Sequence, residues 1–92
     1  MIGCMISKTF RVTGRVQGVG FRWAAQEEAK RLNLAGWIQN DESGSVSGLV
    51  QGPQLSVEQF TLWLRRGSRS ARVDEVETFE ATASGLRNFT AR

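Results

Sequence analysis

The sequence predicts an α+β sandwich of order β-α-β-β-α-β, with two helices on one face of a mostly antiparallel sheet and a short extra strand at the end. Three observations predict it. Residues 6–13, 35–40, 45–51 and 71–80 read as strands. Apolar residues recur at helical spacing in two stretches, one from Phe21 and one from Ser56. Glycine and turn residues separate these stretches, with no repeat, low-complexity tract or linker between them.

Each element has its own signal. Residues 6–13 alternate and carry β-branched and aromatic side chains. Residues 14–20 hold three glycines and predict a loop. Phe21, Ala25, Ala29 and Leu32 then mark one helical face, and Glu27, Glu28, Lys30 and Arg31 mark the solvated one. Asn33 tolerates the left-handed backbone that ends a helix. Residues 35–40 give a second strand. Asp41, Glu42, Ser43 and Gly44 supply hairpin-turn chemistry, and residues 45–51 return as the third strand. Pro53, the single proline, sits beside Gly52 where a strand should end and a loop begin. Ser56 and Gln59 have the spacing of a capping box opening the second helix. Val57, Phe60 and Leu64 give its buried stripe, and Gly67 closes it. Residues 71–80 form a fourth strand, and residues 88–92 a short last strand at an edge. This order is the split βαβ, ferredoxin-like arrangement. Right-handed crossovers put both helices on one face. The fold alone does not name a function.

Composition narrows the chemistry. The 92 residues suit one domain spanning the whole chain, 1–92. Residues 1–5 read as a frayed leader rather than a lipoprotein signal, because no basic segment and long apolar stretch precede Cys4. One cysteine excludes an internal disulfide, so the cytoplasm is the expected compartment. No apolar run approaches the about 20 residues that cross a bilayer, and no membrane association is expected. There is no histidine. The usual zinc-ligand sets and the Ser-His-Asp and Cys-His mechanisms therefore cannot be assembled, and no metal or cofactor is expected. A net charge of +3 favours anionic partners only weakly.

The informative segment runs Gly14-Arg15-Val16-Gln17-Gly18-Val19-Gly20-Phe21-Arg22. It joins a strand to the start of a helix. Its glycines let successive amides turn inward as an anion nest, and the helix adds free N–H groups. Arg22 lies in the first helical turn, where its planar fork of donors suits two phosphoryl oxygens. The loop is neither a Walker A loop nor a dinucleotide loop, since no Gly-Lys-Ser/Thr follows and Trp23 stands where a third glycine belongs. On glycine count alone, it is equally a tight strand–helix turn.

Residues 12–22, from Val12 through Gly14, Arg15, Gln17, Gly18 and Gly20 to Arg22, resemble the first signature of the acylphosphatase family. Gly36-Trp37-Ile38-Gln39-Asn40, followed by Gly44, Ser45, Val46 and Gly52, resembles the second. The resemblance extends to residues 63–67 and 89–92, covering essentially the whole chain. Ile38 departs from it, standing where a smaller residue is more usual, and residues 81–88 look irregular. The resemblance implies a metal-free hydrolase of acyl phosphates that releases a carboxylate and inorganic phosphate. It assigns phosphate binding to Arg22 and water positioning to Asn40. The backbone N–H groups of Gln17, Gly18, Val19, Gly20 and Phe21 complete the cradle.

Other residues take plainer readings. Arg15 is a solvated loop arginine, Phe21 a core anchor, and Cys4 a spectator. Trp37 and Trp63 are core or half-buried surface. Glu27 and Glu28 form a solvated helix face, and Asp41 and Glu42 are turn residues. Gln17 braces the loop. Trp23 sits either at the site mouth or in ordinary packing. Two further functions compete with the hydrolase: a non-catalytic phosphate- or carbamoyl-phosphate-binding module and, a distant third, a nucleic-acid binder, for which the aromatic RNP signature is missing. A monomer is expected.

Overall fold

The computed structural model describes residues 5–82 and 85–92. Residues 1–4, Cys4 among them, therefore lie outside the described residues, as does part of the irregular stretch before the last strand; Met5, read as leader, is instead the first residue of the first strand. The elements are β1 (Met5–Arg15), α1 (Phe21–Arg31), β2 (Ala35–Asn40), β3 (Val46–Pro53), α2 (Gln54–Arg66), β4 (Arg72–Glu80) and β5 (Phe89–Ala91). The sheet order is β4-β1-β3-β2-β5. β1 lies antiparallel to both β3 and β4, and β2 antiparallel to β3. β5 pairs with β2 in parallel, Gly36 opposite Phe89, and forms an edge. This is the ferredoxin-like arrangement with an appended strand. No helix among the described residues is long and apolar enough to cross a membrane.

One apolar layer joins the helices to the sheet. Val12, Ile38, Val46 and Val50 project from the central strands and are buried. Phe21, Ala25 and Ala29 of α1 and Val57, Phe60 and Leu64 of α2 close over them. Phe60 lies at the centre of this packing. Its ring is 5.7 Å from Phe10 in an edge arrangement and 5.6 Å from Phe89, which pins the short β5 to the core. Ile38, the larger residue at its position, is fully buried.

Of the boundaries that differ from the sequence reading, three stand out. β1 runs through Gly14 and Arg15, which the glycine count had assigned to the loop. The register against β4 slips between Thr13 and Gly14, so a bulge carries the strand onward. Gly14 has φ 131°, and a Cβ there would come 2.8 Å from the amide nitrogen of Asp74. Second, α2 begins at Gln54, directly after β3. Pro53 is both the last rung of that strand and the helix cap, with φ −58° and ψ 142°. Ser56 thus falls inside the first turn, and no side-chain cap hydrogen bond forms. Third, the last strand is the three residues Phe89–Ala91.

The end of α1 matches its sequence signal. Asn33 has φ 59°, its N–H donates to the Lys30 carbonyl at 3.0 Å, and the Leu34 N–H donates to the Ala29 carbonyl at 2.9 Å. These two bonds make a Schellman motif, which turns the chain sharply into β2.

Candidate active site

The loop between β1 and α1 has the backbone of an anion nest. Gly18 has φ 73° and Gly20 φ 78°, and Val19 between them is not left-handed. Such alternation turns neighbouring amides toward one point. A Cβ at Gly18 or Gly20 would meet nothing within 4 Å. Backbone handedness, not crowding, is therefore what calls for glycine, and the space above the loop is open. Gly20 is also the cap of α1, and it offers no side-chain acceptor to the first turn. The first-turn donors are left to solvent or a ligand, at the positive end of the helix dipole.

Val16, Gly18, Gly20 and Phe21 from this loop and the helix start line a cleft of about 170 Å³. Arg22 and Trp23 of α1 complete one wall, and Asn40 at the end of β2 contributes the other. The two side chains singled out from the sequence thus share one small hollow, although they are far apart along the chain. Larger hollows of about 550 and 520 Å³ open elsewhere. Neither contains Arg22, Asn40 or a loop glycine. Among the described residues, no group of three or more His, Cys, Asp or Glu could hold a metal ion.

Arg22 is held from outside the cleft. Its Nη1 donates to the main-chain oxygen of Arg92. Arg92 is in turn fixed on β2: its N–H donates to the Ile38 carbonyl at 2.7 Å, and its guanidinium lies 4.4 Å over the Trp37 ring. The strand that carries Asn40 therefore also anchors the partner of Arg22. The sequence reading missed this role of Arg92; the only signal was that the resemblance ran to the last residues. The carboxamide of Asn40 has no hydrogen-bond partner among the described residues and is exposed in the cleft.

Two residues brace the site from behind. The Gln17 side chain crosses to the β2–β3 turn and donates to the carbonyls of Asp41 at 2.7 Å and Ser45 at 2.9 Å. Asp41 lies in the turn, as its residue type indicated, but it is also the hub of a polar network. Its carboxylate accepts from Ser47 at 2.8 Å and Ser45 at 2.9 Å, with a longer contact from Gln39 at 3.5 Å. Arg11 on β1 reaches Ser45 at 3.3 Å. Burial opposes ionisation of Asp41, but the bonds from Ser47, Ser45 and Gln39 and the charge of Arg11 together hold its carboxyl below the ordinary value. The folded state then binds fewer protons than the unfolded one as pH falls. This contribution to stability is present above the usual carboxylate range and is lost on acidification through the folded-state value. Asp41→Asn should therefore melt below the parent at neutral pH, and the gap should narrow as the pH falls below the ordinary carboxylate range. Thermal melts at neutral and acid pH check this; a gap that is constant with pH would contradict it.

Phe21 is the core anchor it was read as, at 1% exposed and with its ring 5.5 Å from Trp63. Trp63 and Trp37 are half-buried, and Arg15 is exposed. Trp23 is different: it is 67% exposed at the cleft and stands outside the core.

The sequence model of the acylphosphatase family matches residues 8–91. The chain belongs to the acylphosphatase family. It is similar to an acylphosphatase from a Nocardioides species, with 46% identity over 81 residues that span 88% of this chain and 82% of that protein. Among solved structures it is similar to acylphosphatase from Bacillus subtilis, with TM-score 0.91 and 33% identity, over 97% of this chain and 99% of that one. It is also similar to part of full-length HypF in a phosphate- and nucleotide-bound form, with TM-score 0.91 and 25% identity; the match covers 100% of this chain and 12% of HypF. Acylphosphatase relatives thus match nearly end to end, and the chain is an enzyme of that family.

Proposed function

We propose that this chain hydrolyses acyl phosphates, R–CO–O–PO₃²⁻, to a carboxylate and inorganic phosphate at the cleft between the glycine loop and Asn40. The observation that carries the reading is the shared cleft: Arg22, Asn40 and the loop glycines Gly18 and Gly20 line one hollow. In this reading the amides of Gln17, Gly18, Val19, Gly20 and Phe21 and the guanidinium of Arg22 bind the phosphoryl oxygens. Phosphoryl transfer to water spreads charge over those oxygens, and fixed donors stabilise that charge without reorganising. Asn40 accepts from and donates to a water, orienting it for in-line attack. The water oxygen bonds to phosphorus as the P–O bond to the acyl group breaks. The carboxylate leaves with the electron pair, and the water's proton passes to a phosphoryl oxygen. A carboxylate is a good leaving group, so neither a general acid nor a metal is needed. That fits a chain with no histidine.

The same reading makes the chain a single-domain, monomeric, cytoplasmic enzyme that works without a cofactor. A benzoyl-phosphate hydrolysis assay tests it: steady turnover that persists with a chelator supports it, and turnover abolished by chelator counts against it. One observation favours a second reading. The likeness to a segment of HypF, in a structure with phosphate bound, suits a binding module. No hydrolysis together with measurable phosphate affinity would select that module instead.

A further inference from the structure

We infer that Trp23 is the platform for the acyl group, so that the cleft selects acyl phosphates whose acyl part is flat and apolar, such as an aryl ring. This rests on the hydrolase reading and adds a substrate class to it. The argument is one of available surface. Loop amides, Arg22 and Asn40 supply the polar functions of the cleft, which suit the phosphoryl group and the water. In-line attack sends the acyl group away from the water on Asn40, so it must meet another part of the wall. Three apolar side chains line that wall: Val16, Phe21 and Trp23. Val16 and Phe21 are each 1% exposed and face the core, whereas Trp23 is 67% exposed. Among the described residues of that wall, only Trp23 therefore has apolar area to offer a ligand.

Nothing else accounts for an indole at this place. Trp63 packs on Phe21 and Phe60, and Trp37 lies under Arg92. Trp23 makes no ring contact of this kind among the described residues. A large exposed aromatic beside convergent polar groups is the usual composition of a small-molecule site. The face of the indole can stack on an aryl ring, while an acetyl group offers it little area.

The test compares kcat/KM for benzoyl and acetyl phosphate in the parent, Trp23→Ala and Trp23→Phe. The ratio of benzoyl to acetyl should fall about tenfold in Trp23→Ala, the size of effect a lost apolar contact gives. Trp23→Phe should recover most of it. An unchanged ratio, or an equal loss on both substrates, overturns the inference and leaves the hydrolase reading intact. An inhibition constant for inorganic phosphate that rises in step with the benzoyl loss would place Trp23 in the phosphate cradle and also overturn it. A parent inactive on both substrates removes the hydrolase reading itself, and this inference with it.

Discussion

Arg22→Ala should lower kcat/KM for benzoyl phosphate by at least about 10²–10³-fold, by analogy with losing one preorganised donor to a developing oxyanion. Among the described residues, the guanidinium is the only cation lining the cleft. It sits at the first turn of α1, where backbone donors already converge, so its removal leaves phosphoryl charge that amides alone must bear. Arg22→Lys should recover little of the loss, because an ammonium is a point charge and cannot span two oxygens. Both variants should remain folded. The bond they lose is one exposed contact to Arg92, about 0.5–1.5 kcal/mol, while Phe89 stays in the core. Benzoyl-phosphate kinetics beside circular dichroism separates the two effects. Full activity in either variant would remove Arg22 from the reaction.

Asn40→Ala should divide kinetics from binding. A carboxamide that only orients water contributes to the transition state and not to holding the phosphoryl group. We expect kcat to fall about 10²-fold, the scale at which misplacement of a reacting atom is felt. The inhibition constant for inorganic phosphate should change far less. The turn behind Asn40 should survive the change, because Gln17 and the serines around Asp41 hold it and Asn40 takes no part in that network. A parallel rise in the phosphate constant would instead make Asn40 a phosphate ligand.

Much of this fold was legible because its signals are local. Alternation in β1, the i, i+4 spacing of Phe21, Ala25 and Ala29, and a left-handed Asn33 each act within a few residues. The start of α2 was misread because two local signals competed. Ser56 and Gln59 have capping-box spacing, but Pro53 already fixes the backbone that turns from strand to helix. The bulge at Gly14 depends on β4, distant in sequence, and no local pattern announces it.

The site divided in the same way. The loop and Arg22 were readable from one continuous segment, and Asn40 from the second signature. The support was not. Asp41 gathers Ser45 and Ser47 through the β2–β3 hairpin, and Arg11 joins them because antiparallel pairing of β1 with β3 sets Arg11 opposite Ser47. Arg92 meets Arg22 only because β5 adds to β2 in parallel. The exposure of Trp23 is likewise a property of the packed helix, which its residue type alone would have hidden.

The most direct test of the phosphate cradle is an amide-resolved NMR titration of the parent chain with inorganic phosphate. Saturable shifts confined to the amides of residues 17–22 are the predicted result. Shifts that instead cluster around Lys30 and Arg87, beside the larger hollow, with the loop amides unmoved, would contradict the account.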